Sequence, residues 1–210
     1  MMKIDRSRKL YTNFLGVRRN LSVDSYDRRE KAPLAWYNKS SDLRASAGTI
    51  WVSMGDKQSK EIVEQLKLGD HFRLNIACWP VYRMLCGMSL ELIFKAIIVA
   101  KGDKVEYTHD LVDFARKSNI KYDNRKQGIL KIFSESIIWD GRYPVPLAKG
   151  KDRDKAKAGA KAKMDELNNL YRTCASRRHN NTLDFGSFLD WDSFNEIWSE
   201  AAEVFQSINS

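Results

Sequence analysis

An all-α bundle is the fold class this sequence predicts, and three observations carry it. The segment Tyr82–Gly102 is apolar on almost every face, only four prolines stand against abundant Leu, Ile, Ala and Lys, and no alternating run is long enough to demand a sheet. A helix apolar all round is either the centre of a bundle or a membrane span. A span needs about 20 largely uncharged residues, whereas this segment holds Arg83, Glu91 and Lys95, whose charges cost several kcal/mol in lipid. Residues 82–101 therefore read as the buried axis of a helical bundle, with Met84, Leu85, Met88, Leu92, Ile93, Ala96 and Val99 inward. Glu91 and Lys95, spaced i,i+4, meet on one face.

The other elements follow in chain order. Residues 1–40 lack periodicity, carry many Arg, Ser and Asp, include Pro33, and read as a basic arm outside a helical domain at 41–210. Ser40 or Ser41 is placed to cap a first helix over Asp42–Met54, although Thr49–Ser53 could form a short strand. Asp56 opens a second helix with Ile62, Val63 and Leu66 as its apolar stripe. Pro80 suits the first turn of the central helix, and Gly102 suits the position just past its end. Thr108 is a good N-cap for the next helix, with His109 and Asp110 in its first turn and Leu111, Val112, Phe114 and Ala115 inward. A further helix over about 125–139 turns Ile129, Leu130, Phe133, Ile137 and Ile138 to the core. Gly141, Pro144 and Pro146 make the next stretch an irregular, rigid loop. Residues 147–163 are lysine-rich with almost nothing large to bury, and read as a flexible basic loop. From Met164, the residues Leu167, Leu170 and Tyr171 dock a helix, and Trp191–Ile208 forms the last one, started by Asp190 or Asp192.

The net charge of +9 is unevenly placed: residues 1–31 carry nine Lys/Arg against four Asp/Glu, and residues 149–163 carry seven against two. Such patches attract polyanions through long-range field and counterion release. Three cysteines with no CxxC indicate a reducing compartment, and Cys86 sits in the central helix as a small hydrophobe. The N-terminus has no continuous apolar run of a signal peptide, so a cytoplasmic protein without membrane association is expected. His71, His109 and His179 have no ligand-like spacing, and no phosphate-binding or dinucleotide glycine loop occurs. No metal and no cofactor is expected.

Three segments carry a family resemblance: SLELIFKAIIVAKG at 89–102, THDLVDFARKSNI at 108–120 and IIWDGRYPVP at 137–146. With the spacing between them, they resemble the HEPN superfamily, in the subgroup with a Glu-Leu…Lys-Ala central helix, a His-Asp-Leu helix start and a Trp-x-Gly-Arg-Tyr-Pro turn. The resemblance implies an antiparallel bundle of four or five helices that dimerises. It also implies either a metal-independent ribonuclease of toxin–antitoxin, phage-defence or RNA-processing systems, or an inactive partner of a nucleotidyltransferase. The family signature, an Arg followed after four to six residues by a His, falls here on Arg172 and His179, with Thr173 where an Asn is usual.

Each candidate site has two readings. Arg172 could hold a phosphate while His179 moves a proton to or from a ribose or leaving oxygen. Seven residues apart, they lie about two turns and roughly 10 Å apart on one helical face; the alternative is a basic helix end. His109 is either structural or a substrate contact. Arg142 is a partner for Glu91 beside Lys95, or a phosphate clamp at the surface. Lys155, Lys157, Lys161 and Lys163 form a patch for sequence-blind attraction to RNA, or a solvated loop. The chain is thus expected to be a homodimer that binds RNA or another polyanion, with or without cleavage, or an inert bundle working through a protein partner.

Overall fold

Pro33 opens the first helix of the bundle instead of ending an arm. Its fixed φ and missing N–H are harmless in a first turn, and the helix runs without interruption over Pro33–Ser53 (α1). The computed structural model describes residues 28–148, 150–177, 183–184 and 188–208. Among them, α1 is followed by α2 (Asp56–Gln65), α3 (Leu74–Ala77), α4 (Trp79–Ala100), α5 (Leu111–Lys117) and α6 (Asn124–Glu135). A π turn at Ser136–Asp140, α7 (Arg153–Cys174) and α8 (Trp191–Ile208) complete the helical set. The described residues are all-α apart from a two-residue antiparallel ladder, Ser176 opposite Asp184 and Arg177 opposite Leu183.

Helix α4 is the axis, with α1, α5, α6, α8 and the π turn all packed on it. The inward residues differ in part from expectation. Ile93 and Ala96 are buried, but Met84, Leu85, Met88, Leu92 and Val99 are half-buried, while Tyr82, Cys86, Leu90, Phe94 and Ile97 are fully enclosed. A helix surrounded by neighbours has no single inward stripe to read from periodicity. Its end is as expected: Gly102 takes φ +83°, its N–H bonds Val99 O at 3.0 Å, and the Asp103 N–H bonds Ile98 O at 3.1 Å.

The α1–α4 crossing is sealed by small polar residues. Ser40, expected as a helix cap, lies mid-helix and fully buried because α1 starts at Pro33. The Ser40 hydroxyl donates to Ser89 O at 2.7 Å, Ser89 Oγ donates to Ser40 O at 2.9 Å, and Trp198 Nε1 from α8 donates to Ser40 Oγ at 2.8 Å. Three helices are thereby tied at one point. On the opposite side α4 meets α6 closely: a Cβ on Gly87 would stand 2.7 Å from Phe133 O.

Four further expectations are corrected. Thr49–Ser53 is helical, as the end of α1. In α2 no residue is fully buried, and Leu66 is 61% exposed, just past the helix end. The N-cap of α5 is Asp110, not Thr108: Asp110 Oδ1 accepts from Val112 N and Asp113 N at 3.1 and 3.0 Å, and a carboxylate there also complements the helix dipole. The lysine tract expected to be a loop to residue 163 is helical from Arg153, capped by Asp152, whose Oδ1 accepts from the N–H groups of Asp154 and Lys155 at 3.2 Å. Lys/Ala propensity carries that turn count without burial.

A basic groove beneath helix α7

The first half of α7 does not pack on the core; it stands over a groove. One wall is set by the π turn, where Gly141 N–H bonds Ser136 O at 3.0 Å and a Cβ on Gly141 would lie 2.6 Å from Met84 Cβ. Only glycine lets the chain pass so close to α4. The N–H groups of Arg142 and Tyr143 then both bond Trp139 O, at 2.9 and 2.8 Å, and Pro146 is buried. The opposite wall is the α7 face bearing Lys155, Ala156, Gly159, Ala160 and Lys163. Nothing lies within 4 Å of where a Gly159 Cβ would stand, so α7 faces open space at this point. Leu167, 4% exposed, closes the gap further along.

The space between the walls is a half-open cavity of about 480 Å³, floored by Ile138, Trp139 and Pro146 and rimmed by Arg142, Lys151, Lys155 and Lys163. A second cavity of about 450 Å³ shares Ile138 and Lys163 with it and continues to His109 and Lys131. The two form one groove along α7. Among the described residues, Lys131, Lys151 and Lys163 form no salt bridge. Of the acidic groups along the groove, Asp152 caps α7 and lies 3.7 Å from Lys155, Glu135 accepts from Trp139 Nε1 at 2.5 Å, Asp110 caps α5, and Glu166 lines the second cavity. The first cavity therefore presents more cations than carboxylates over an apolar floor, with Arg142, Lys151 and Lys163 outside any salt bridge among the described residues.

The structure brings together three of the residues singled out from sequence, Arg142, Lys155 and Lys163. Lys157 and Lys161 are exposed and line neither cavity. Arg142 is not the partner of Glu91: it is exposed, its Nη2 donates to Ile138 O at 2.5 Å, and its guanidinium lies 5.4 Å from the Tyr143 ring centre. Glu91 instead accepts from Lys95 at 2.5 Å and pairs with His109 Nδ1 at 2.8 Å. The i,i+4 expectation for Glu91 and Lys95 thus holds geometrically, and both are nearly buried, at 7% and 6% exposure. The Lys95 ammonium also sits 5.1 Å from the Phe114 ring centre. His109 ties the 101–110 loop to α4 from just outside α5, while Thr108 is exposed and makes no cap.

Arg172 is exposed near the C-terminal end of α7, and His179 lies outside the described residues, as does any geometry between them. Sequence reasoning assigned no role to Tyr143 or Lys131, and counted Lys151 only as one of the seven basic residues of the 149–163 tract. The available signal for Tyr143 was an aromatic beside an arginine in a proline-pinned loop. It also missed the pair Arg83–Asp140, at 2.8 Å, which joins α4 to the π turn; burial lowers the Arg83 pKa and Asp140 opposes that shift. Among the described residues, no group of three or more His, Cys, Asp and Glu could hold a metal ion, and no helix is long and apolar enough to cross a membrane.

Compared with protein-family models, with curated proteins and with solved structures, the chain matches none.

Proposed function

We propose that this chain is a HEPN-like protein that binds RNA or another phosphate-rich polymer along the groove beneath α7. One observation carries the reading: Arg142, Lys151, Lys155 and Lys163 rim a single cavity in which Asp152, 3.7 Å from Lys155, is the one carboxylate among the lining residues. Four cations against one carboxylate leave a net positive field for a ligand, and each neutralised phosphate releases counterions. The all-helical bundle around α4 and the three resembling segments support the family reading. That reading adds a chemical arm, metal-independent cleavage by Arg172 and His179, in a defence or toxin–antitoxin setting and in a homodimer.

The test separates the two faces of α7. Lys155→Ala with Lys163→Ala removes two groove cations, whereas Lys157→Ala with Lys161→Ala removes two outward ones at the same net charge. Binding to a labelled oligoribonucleotide is measured across salt. The groove pair should lower the log–log salt slope by about 1.4, at roughly 0.7 per phosphate contact on single strands, and the outward pair by clearly less. Equal behaviour of both double variants and wild type refutes the groove. Cleavage lost in His179→Ala while binding persists supports the chemical arm, and undiminished cleavage removes it.

A second reading has its own observation. Leu66, Leu68, Phe72 and Ile76 are exposed between α2 and the end of α3, and Val81 is exposed on α4. Exposed apolar residues of this density favour protein contact, either a second copy or a partner subunit. Light scattering on wild type and on Phe72→Asp with Ile76→Asp tests it: an oligomer lost in the variant supports the reading, and an unchanged mass in both refutes self-association there.

A further inference from the structure

The groove has a feature that phosphate attraction alone does not use. In the first cavity the floor is apolar and aromatic, and one ring, Tyr143, stands 40% exposed at the wall. Two backbone hydrogen bonds to Trp139 O, from Arg142 and Tyr143, hold that stretch of chain, and buried Pro146 anchors its far side. The Arg142 guanidinium lies 5.4 Å from the Tyr143 ring centre. Across the gap, α7 presents Gly159 and Ala160 where larger residues would fill the space. A cavity of about 480 Å³ with this lining has room for a planar aromatic group beside a phosphate.

We propose that this cavity is a nucleotide subsite for a single-stranded nucleic acid: one unpaired base stacks on Tyr143, and the flanking phosphates lie on Lys155 and Lys163. The proposal rests on the polyanion reading of the same groove and adds to it the class of polyanion. Charge complementarity selects a phosphate chain, and the aromatic wall selects one that carries bases. An aromatic face accepts any base, so the subsite is tolerant of sequence. It is selective for strand state, because a duplex keeps its bases stacked on one another and offers a side chain no free face. A polymer of phosphate without bases gains nothing from the ring.

Three probes separate the terms: a labelled single-stranded 12-mer of uridine, a blunt-ended two-strand duplex of matched charge, and inorganic polyphosphate as competitor. They are measured on the full-length wild type, Tyr143→Ala and Tyr143→Phe, with circular dichroism confirming that each variant keeps its helix content. Tyr143→Ala should weaken the single strand by roughly 5- to 150-fold, the range of one lost base–aromatic stack. Tyr143→Phe should stay near wild type, and competition by polyphosphate should be the same for all three proteins. The duplex should bind wild type more weakly than the strand and be insensitive to residue 143. Unchanged strand affinity in Tyr143→Ala overturns the stacking subsite while leaving the groove reading intact, provided polyphosphate still binds. A parallel loss of polyphosphate affinity, or a duplex that binds as well as the strand, also overturns it. If wild type binds none of the three probes, the groove reading itself falls.

Discussion

Replacing Glu91 by Gln keeps the shape of the side chain and removes its charge, which isolates what the buried carboxylate does. Lys95 is 6% exposed, and its ammonium is bonded to Glu91 at 2.5 Å, with the Phe114 and Trp36 ring centres 5.1 and 6.0 Å away. In Glu91→Gln that ammonium stays buried with no counter-charge, and His109 loses its partner at 2.8 Å. Breaking a buried pair from one side costs about 3–5 kcal/mol, a large share of a total stability of about 5–15 kcal/mol. With a urea m-value of about 2–3 kcal/mol/M, the unfolding midpoint should fall by roughly 1–2.5 M. Lys95→Met should cost less, because Glu91 then keeps His109 as a donor and the methionine packs where the lysine stem lay. The double variant should cost less than the sum of the two, by about 1–3 kcal/mol, since no unpaired charge then remains between them. Urea unfolding of the four proteins, followed by tryptophan fluorescence and circular dichroism together, completes the cycle. A Glu91→Gln cost below about 1 kcal/mol, or strict additivity, would refute the reasoning that these charges compensate one another inside the bundle.

Three shorter predictions use the same assays. Ser40→Ala strands Trp198 Nε1 and takes the Ser40 hydroxyl away from Ser89 O at a buried crossing, while the Ser89 hydroxyl keeps the residue 40 carbonyl; a loss of about 1–3 kcal/mol is expected, and a change under 0.5 kcal/mol would count against the three-helix tie. Gly87→Ala should destabilise by about 1–3 kcal/mol, because a Cβ 2.7 Å from Phe133 O outweighs the roughly 0.5–1 kcal/mol that alanine gains in helix propensity; a net stabilisation would show that α4 and α6 are not in close approach. Burial pushes the Cys86 thiol up, and the residue is fully enclosed, so the native protein at pH 8 should label with a thiol reagent at Cys86 only as fast as it unfolds. Mass spectrometry that finds Cys86 modified as quickly as half-buried Cys78 would contradict that.

The sequence by itself determined the all-helical class, the axial role of the segment around residues 82–101, the Gly102 stop, the Glu91–Lys95 pair and the bounds of the last helix. Each of these rests on interactions between residues close in the chain or on bulk apolar content, and local spacing records both. The start of α1 at Pro33 and the start of α7 at Arg153 were misread for one reason: neither helix shows a strong apolar stripe in its first turns, so there was no period to follow. Only the tertiary structure decided which charges meet. His109 reached Glu91 across 18 residues, and Arg142 faced solvent instead of that carboxylate. The groove was equally illegible, because it is a gap: it exists where the small residues of α7 pass over the proline-pinned loop, and a space between two elements leaves no pattern in either one. Helix phase then sorted the lysines, turning Lys155 and Lys163 into the groove and leaving Lys157 and Lys161 outside it. At about 100° per residue, neighbours in a uniform basic tract cannot share a face.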